Sequence, residues 1–87
     1  MALLSPKVIA QVSSRSSGTH GATSWEWIMR ADGQVCYRLT KVNGRRERNP
    51  WTQATQLPAA ELEALRGDVT RATEVLEAIV RRHGHRR

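Results

Sequence analysis

Between positions 38 and 51 the chain carries Arg38, Lys41, Arg45, Arg46 and Arg48, and the run ends on Trp51. Cationic groups at this density beside an indole suit one chemistry above others. They can hold phosphates as ion pairs while a flat ring stacks on a base. Arg30 joins them if its strand lies beside that of Arg38. The candidate nucleic-acid site is therefore Arg30, Arg38, Lys41, Arg45, Arg46, Arg48 and Trp51. The competing explanation is a solvated sheet face with an incidental arginine bias.

Other reactive types fall short of a site. Cys36 has no helix terminus or base placed beside it, and reads as a small, half-buried hydrophobe next to Ile28. His20, His83 and His85 show no spacing that closes a metal site with acids or the cysteine. The carboxylates run mostly along one helical face and are not paired across a cleft, so general acid/base work finds no candidate. No glycine spacing in 13–24 matches a phosphate-cradling loop. These observations point to a protein that is not an enzyme and needs neither metal nor cofactor.

The charge pattern sharpens the binding hypothesis. The net charge is +6, but residues 1–80 hold ten basic and eight acidic side chains, only +2. Arg81, Arg82, Arg86 and Arg87 supply the other four. Over 59–80 the balance is negative, with Arg66 and Arg71 against five acids. Positive charge thus segregates to the strands and the tail, which favours an anionic partner on that side.

Eighty-seven residues make a single small domain, 1–87, with burial on folding near 60–65% of the unfolded surface. No apolar run reaches the length of a membrane span. The first residues are too short and wrongly ordered for a secretory signal. One cysteine excludes an internal disulfide and fits a reducing compartment, so a soluble cytoplasmic protein is expected.

The elements that must position the cations follow from periodicity. In 24–42, Trp25, Trp27 and Met29 alternate with Glu26, Ile28 and Arg30, and then Val35, Tyr37 and Leu39 alternate with Cys36, Arg38 and Thr40. That is the period-two signature of half-buried strands. A two-residue turn at Asp32-Gly33 would pair Trp27 with Arg38. A three-residue loop, 31–33, with Gly33 left-handed, sets Met29 against Val35, Trp27 against Tyr37, Trp25 against Leu39 and Glu26 against Arg38. The second register keeps both faces coherent, so it is the expected one.

Before this hairpin, 7–13 reads as a first strand, and 13–24 as a flexible loop with no apolar side chain larger than alanine. After it, Asn43-Gly44 is a turn. A three-residue version of that turn brings Trp51 opposite Val35 and is mildly preferred. Pro50 predicts a break and a sheet edge, with 51–57 continuing as a short fourth strand. Pro58 opens a helix. Leu62, Leu65, Val69, Ala72, Leu76 and Ile79 then keep three–four spacing through Gly67, so one helix over 59–80 is expected. Residues 81–87 read as a basic disordered tail.

The sum is an α+β fold: a three- to four-stranded antiparallel meander with one C-terminal amphipathic helix packed on one face. The apolar stripe needs the Trp25/Trp27/Met29/Val35/Tyr37/Leu39 face, which makes these aromatics core and leaves Trp51 as the exception. The other face would then present Arg30, Arg38, Arg46 and Arg48. As architecture alone, this order is similar to Whirly-like single-strand binders and the three-stranded arm-binding domains of phage integrases, although no motif in 25–65 identifies a family. The expected function is DNA or RNA backbone binding by the basic sheet face and tail, with strandedness unresolved. The alternative is a protein-interaction module, an inhibitor or adaptor, that forms a homodimer through an edge strand or the helix.

Overall fold

The computed structural model describes residues 7–18, 21–65 and 67–84. Five strands form one sheet: β1 (Val8–Gly18), β2 (Gly21–Arg30), β3 (Gln34–Val42), β4 (Arg45–Arg46) and β5 (Thr52–Gln56). β1, β2 and β3 are consecutive antiparallel neighbours. The far edge of β3 is shared, with β4 pairing one end and β5 the other. Two helices follow, α1 (Ala59–Ala64) and α2 (Val69–Gly84). The chain is thus the expected α+β meander with a C-terminal helix on one face.

The central hairpin has the predicted register. Trp25 faces Leu39, Glu26 faces Arg38, Trp27 faces Tyr37 and Met29 faces Val35. Gly33 at φ +92° makes the three-residue loop. Its N–H donates to the Arg30 carbonyl at 2.8 Å, and the Asp32 carboxylate accepts from the Gln34 N–H at 3.0 Å. β5 also arises where 51–57 was expected to add a strand.

The apolar stripe of α2 lies on the tryptophan side. Trp27, Met29, Val35, Leu57, Leu65, Ala72, Leu76 and Ile79 form one buried cluster with Ala10. Met29, Val35 and Leu76 are completely buried. α2 sits over β1 and β2. A β-bulge at Ile9 turns that side chain toward the core and leaves Val8 exposed.

Four expectations are corrected. First, 13–24 is mostly not a loop: β1 continues to Gly18 and β2 begins at Gly21, with Ser13 opposite Glu26 and Ser17 opposite Ala22. Serine and threonine carry no hydrophobic signal, but β2 supplies the hydrogen-bonding partner, and pairing needs the backbone alone. Thr19 and His20 lie outside the described residues.

Second, the Asn43-Gly44 turn has two residues. Val42 pairs Arg45 and Lys41 pairs Arg46, and both turn residues have positive φ, +52° and +84°. Asparagine followed by glycine favours this turn because its twist matches the strands it joins. Thr55, not Trp51, therefore faces Val35.

Third, the helix breaks. Gly67 is left-handed at φ +77°, the Asp68 N–H returns to the Leu65 carbonyl at 2.9 Å, and the Asp68 carboxylate accepts from the Arg71 N–H at 3.0 Å. Glycine ends α1 and aspartate caps α2. The expected stripe is interrupted at Val69, which is exposed, and resumes at Ala72, Leu76 and Ile79 because both helices reach the same core. Fourth, 81–84 is helical, not tail; residues 85–87 lie outside the described residues.

Candidate nucleic-acid interface

The face of the sheet opposite α2 carries a polar lattice. Gln11 donates to Glu26. The Arg38 guanidinium donates to Glu26 at 3.1 Å through Nε and pairs with it through Nη2 at 3.1 Å. It also stands 4.2 Å over the Trp51 ring. Arg30 donates to Gln34 at 3.4 Å, and Gln34 donates to Gln53 at 3.1 Å. Between these rows Ile28 and Cys36 are buried although, among the described residues, no helix covers them. The long polar side chains close over the two small apolar residues, with their stems against the sheet.

The expected arginine comb is therefore divided. Arg30 and Arg38 are half-buried and already hold partners, whereas Lys41, Arg45, Arg46 and Arg48 are exposed. Among the described residues none of these four is in an ion pair. The two-residue turn brings them together at the end of β3 and β4, where Lys41 stands directly across from Arg46. The strip after β4 is held to β3 by the Glu47 N–H on the Thr40 carbonyl at 2.9 Å and by Asn49 Nδ2 on the Leu39 carbonyl at 3.0 Å. These bonds deliver Trp51 beneath Arg38. Trp51 is half-buried and stands outside the core cluster, as its sequence context suggested.

A latch ties the cationic turn to the other hairpin. The Asn43 side-chain oxygen accepts from the Ala22 N–H at 2.8 Å, and the Asn43 N–H donates to the Ala22 carbonyl at 2.7 Å. Gly21, at φ +118°, leaves the space this needs, since a Cβ there would lie 1.9 Å from the Asn43 oxygen.

Sequence reasoning missed a second feature. On the α2 side, beyond the helix's cover, lies an open cleft of about 600 Å³. Trp25, Trp27 and Tyr37 give it aromatic surfaces, Ser14, Ser16 and Thr23 give hydroxyls, and Val80, Arg15, Arg81 and His83 complete it. Trp27 and Tyr37 stack at 4.9 Å, with planes 21° apart. Trp25 tilts 45° from Tyr37 at 5.9 Å, and its indole N–H donates to the Thr23 hydroxyl at 3.3 Å. His83 meets Trp27 at 5.4 Å. The available signal was composition: serine and threonine cannot cover an indole, so a β1 that changes from Ala10 and Val12 to Ser14 and Ser16 cannot continue the core. Treating 13–24 as a loop hid that change.

Burial raises the pKa of the Cys36 thiol; the nearby Arg30 cation opposes this and Asp32 adds to it. The thiol therefore stays protonated and covered. Its alkylation by a maleimide at neutral pH should be slow in the folded protein and rapid in denaturant. Because the folded pKa is the higher one, stability should hold below the ordinary thiol value of about 8.5 and decline as pH rises past it. Fast labelling without denaturant, or no alkaline decline beyond that of a Cys36→Ala variant, would contradict this account.

No family model matches this chain, nor does any curated protein or solved structure. No helix is long and apolar enough to cross a membrane, and no group of three or more metal-ligating side chains converges, among the described residues.

Proposed function

We propose that the protein is a non-enzymatic binder of nucleic acid that grips the phosphate backbone with the β3–β4 hairpin. The observation that carries this reading is the Lys41–Arg46 pair. Like charges directly across a ladder destabilise a sheet, yet here they face one another, flanked by Arg45 and Arg48 and without an acid partner among the described residues. A polyanion lying along the hairpin would relieve that repulsion and release its own counterions. Arg38 and Arg30 act as the rigid base of this surface, and Trp51 as the ring that fixes Arg38. A lone cysteine suits work in a reducing compartment such as the cytoplasm.

The direct test is fluorescence anisotropy with labelled oligonucleotides over a salt series. Four phosphate contacts predict a log–log slope of about −2.8 to −3.6. Absence of binding at low salt would end the proposal. One observation favours a second reading: β1, eleven residues long, forms an outer edge of the sheet. That edge could pair with a second copy or another protein. Light scattering coupled to size exclusion distinguishes a homodimer, whose apolar and backbone contacts would respond little to salt.

A further inference from the structure

The cleft beside α2 has a size and composition that the phosphate-binding hairpin does not require. Its volume, about 600 Å³, lies within the range of about 300–1,000 Å³ typical of small-molecule sites. Its chemistry is mixed in a particular way. One side is aromatic, one side offers hydroxyls from Ser14, Ser16 and Thr23, and the exposed cation Arg81 stands at the opening, while Arg15 alternates to the other face of the sheet. An apolar ligand would use neither the hydroxyls nor the Arg81 guanidinium. A simple anion would leave the rings without one. A flat heterocycle with polar edges and an attached phosphate satisfies all three surfaces.

The sheet register places this cleft next to the cationic hairpin. Thr23 pairs Val42 and Ser24 pairs Lys41, so Trp25 follows directly along β2 from residues bonded to the hairpin. The Asn43 latch joins the same two chain segments. Lys41 and Arg46 share the face of Ser24, whereas Val42 and Arg45 share that of Thr23 and Trp25, so a strand that rounds the hairpin past Arg45 brings a base to the side of Trp25. Trp27 is already stacked on Tyr37 and in contact with His83, so it forms the back of the site. Trp25, tilted away from Tyr37 and oriented by its bond to Thr23, is the ring that receives the guest.

We propose that this cleft takes one unpaired nucleobase, stacked on Trp25 with its phosphate against Arg81, and thereby makes the protein prefer single-stranded over duplex nucleic acid. The preference rests on the backbone reading above, while the cleft itself does not. A paired base could enter only by leaving its stack, and that cost is smallest in a single strand.

The test compares a single-stranded oligonucleotide with its duplex on wild type, Trp25→Ala, Trp25→Phe and Arg81→Ala, with circular dichroism to confirm each fold. In parallel, adenosine 5′-monophosphate is titrated while the Trp25 indole N–H signal is followed by NMR. Single strands should bind wild type on the order of tenfold tighter than duplex. Trp25→Ala should remove that advantage and leave duplex binding unchanged, and Trp25→Phe should restore part of it. Arg81→Ala, at an exposed position that leaves the core intact, should weaken the single strand and the mononucleotide alike. Equal binding of both forms by wild type, or a preference that survives Trp25→Ala and Arg81→Ala, overturns the cleft proposal and leaves the backbone reading standing. If neither oligonucleotide binds but the mononucleotide still shifts Trp25, the backbone reading falls and the cleft stands as a nucleotide site. No binding and no shift would overturn both.

Discussion

Leu76→Ala should destabilise the protein by about 3–4 kcal/mol, within the range for leucine truncations that leave a cavity. Leu76 has no exposed surface and lies at the middle of α2, in the buried cluster that joins helix to sheet. Alanine there loses the transfer energy of the side chain and leaves Met29, Val35 and Ala72 around a void that the sheet cannot easily close. A chain of this size has a total stability of roughly 4–13 kcal/mol, so the loss is a large fraction of it. The melting temperature should fall by about 12–30 °C. Val69→Ala is the matched control, since Val69 begins the same helix but is 65% exposed; its effect should stay within about 0.5 kcal/mol. Equal effects at the two positions would mean that α2 does not pack on the tryptophan face.

The combined change Lys41→Ala, Arg45→Ala, Arg46→Ala and Arg48→Ala should have the largest effect on binding. Removing one cation that neutralises a phosphate lowers the salt slope by about 0.7–0.9, so removing all four should flatten it almost completely. Wild-type affinity should fall roughly 50- to 150-fold between 50 and 200 mM salt, while the variant responds weakly from an already low affinity. Stability should move the other way. The Lys41–Arg46 repulsion disappears, none of the four residues belongs to the buried cluster, and the variant should melt at the same temperature as wild type or slightly above. A variant that keeps its full salt response would place the phosphate-binding groups elsewhere, and one that unfolds would show the hairpin to be structural. By contrast, Arg38→Ala should harm the fold more than binding, because it strips Glu26 of its ion pair and Trp51 of its cation.

The parts of this architecture that were legible in the sequence are those fixed by alternation. The pairing of Trp27 with Tyr37 and of Met29 with Val35 followed from period two and a glycine able to turn left-handed, and the apolar stripe of α2 identified its own partner face. What resisted reading was set by groups that carry no hydropathy signal. Ser13 to Ser17 join the ladder through backbone bonds, so their side chains were silent. Leu62 and Leu65 before Gly67 and Ala72, Leu76 and Ile79 after it all reach the core, so periodicity alone could not reveal the break or the exposure of Val69. At the candidate site, the positions of Lys41, Arg45, Arg46 and Arg48 were legible as a cluster. The commitment of Arg38 to Glu26 and Trp51 depended on tertiary placement after Pro50, and the cleft needed two segments far apart in sequence to be seen together.

The bond between the Asn43 side chain and the Ala22 N–H also bears on how the protein ages. Asparagine followed by glycine is open to ring closure, in which the Gly44 nitrogen attacks the side-chain carbonyl, ammonia departs, and hydrolysis leaves aspartate or its isomer. In the folded chain that carbonyl oxygen is held by Ala22 and the side chain packs against Gly21, which restricts the rotation that ring closure requires. Deamidation at Asn43 should therefore be slow in native buffer and fast in urea, as peptide mapping by mass spectrometry would show; equal rates would mean the latch gives no protection. Where the reaction does occur, it puts a carboxylate at the tip of the cationic hairpin, so under the proposed function the shelf life of the fold and that of a grip on a polyanion would be set by the same amide.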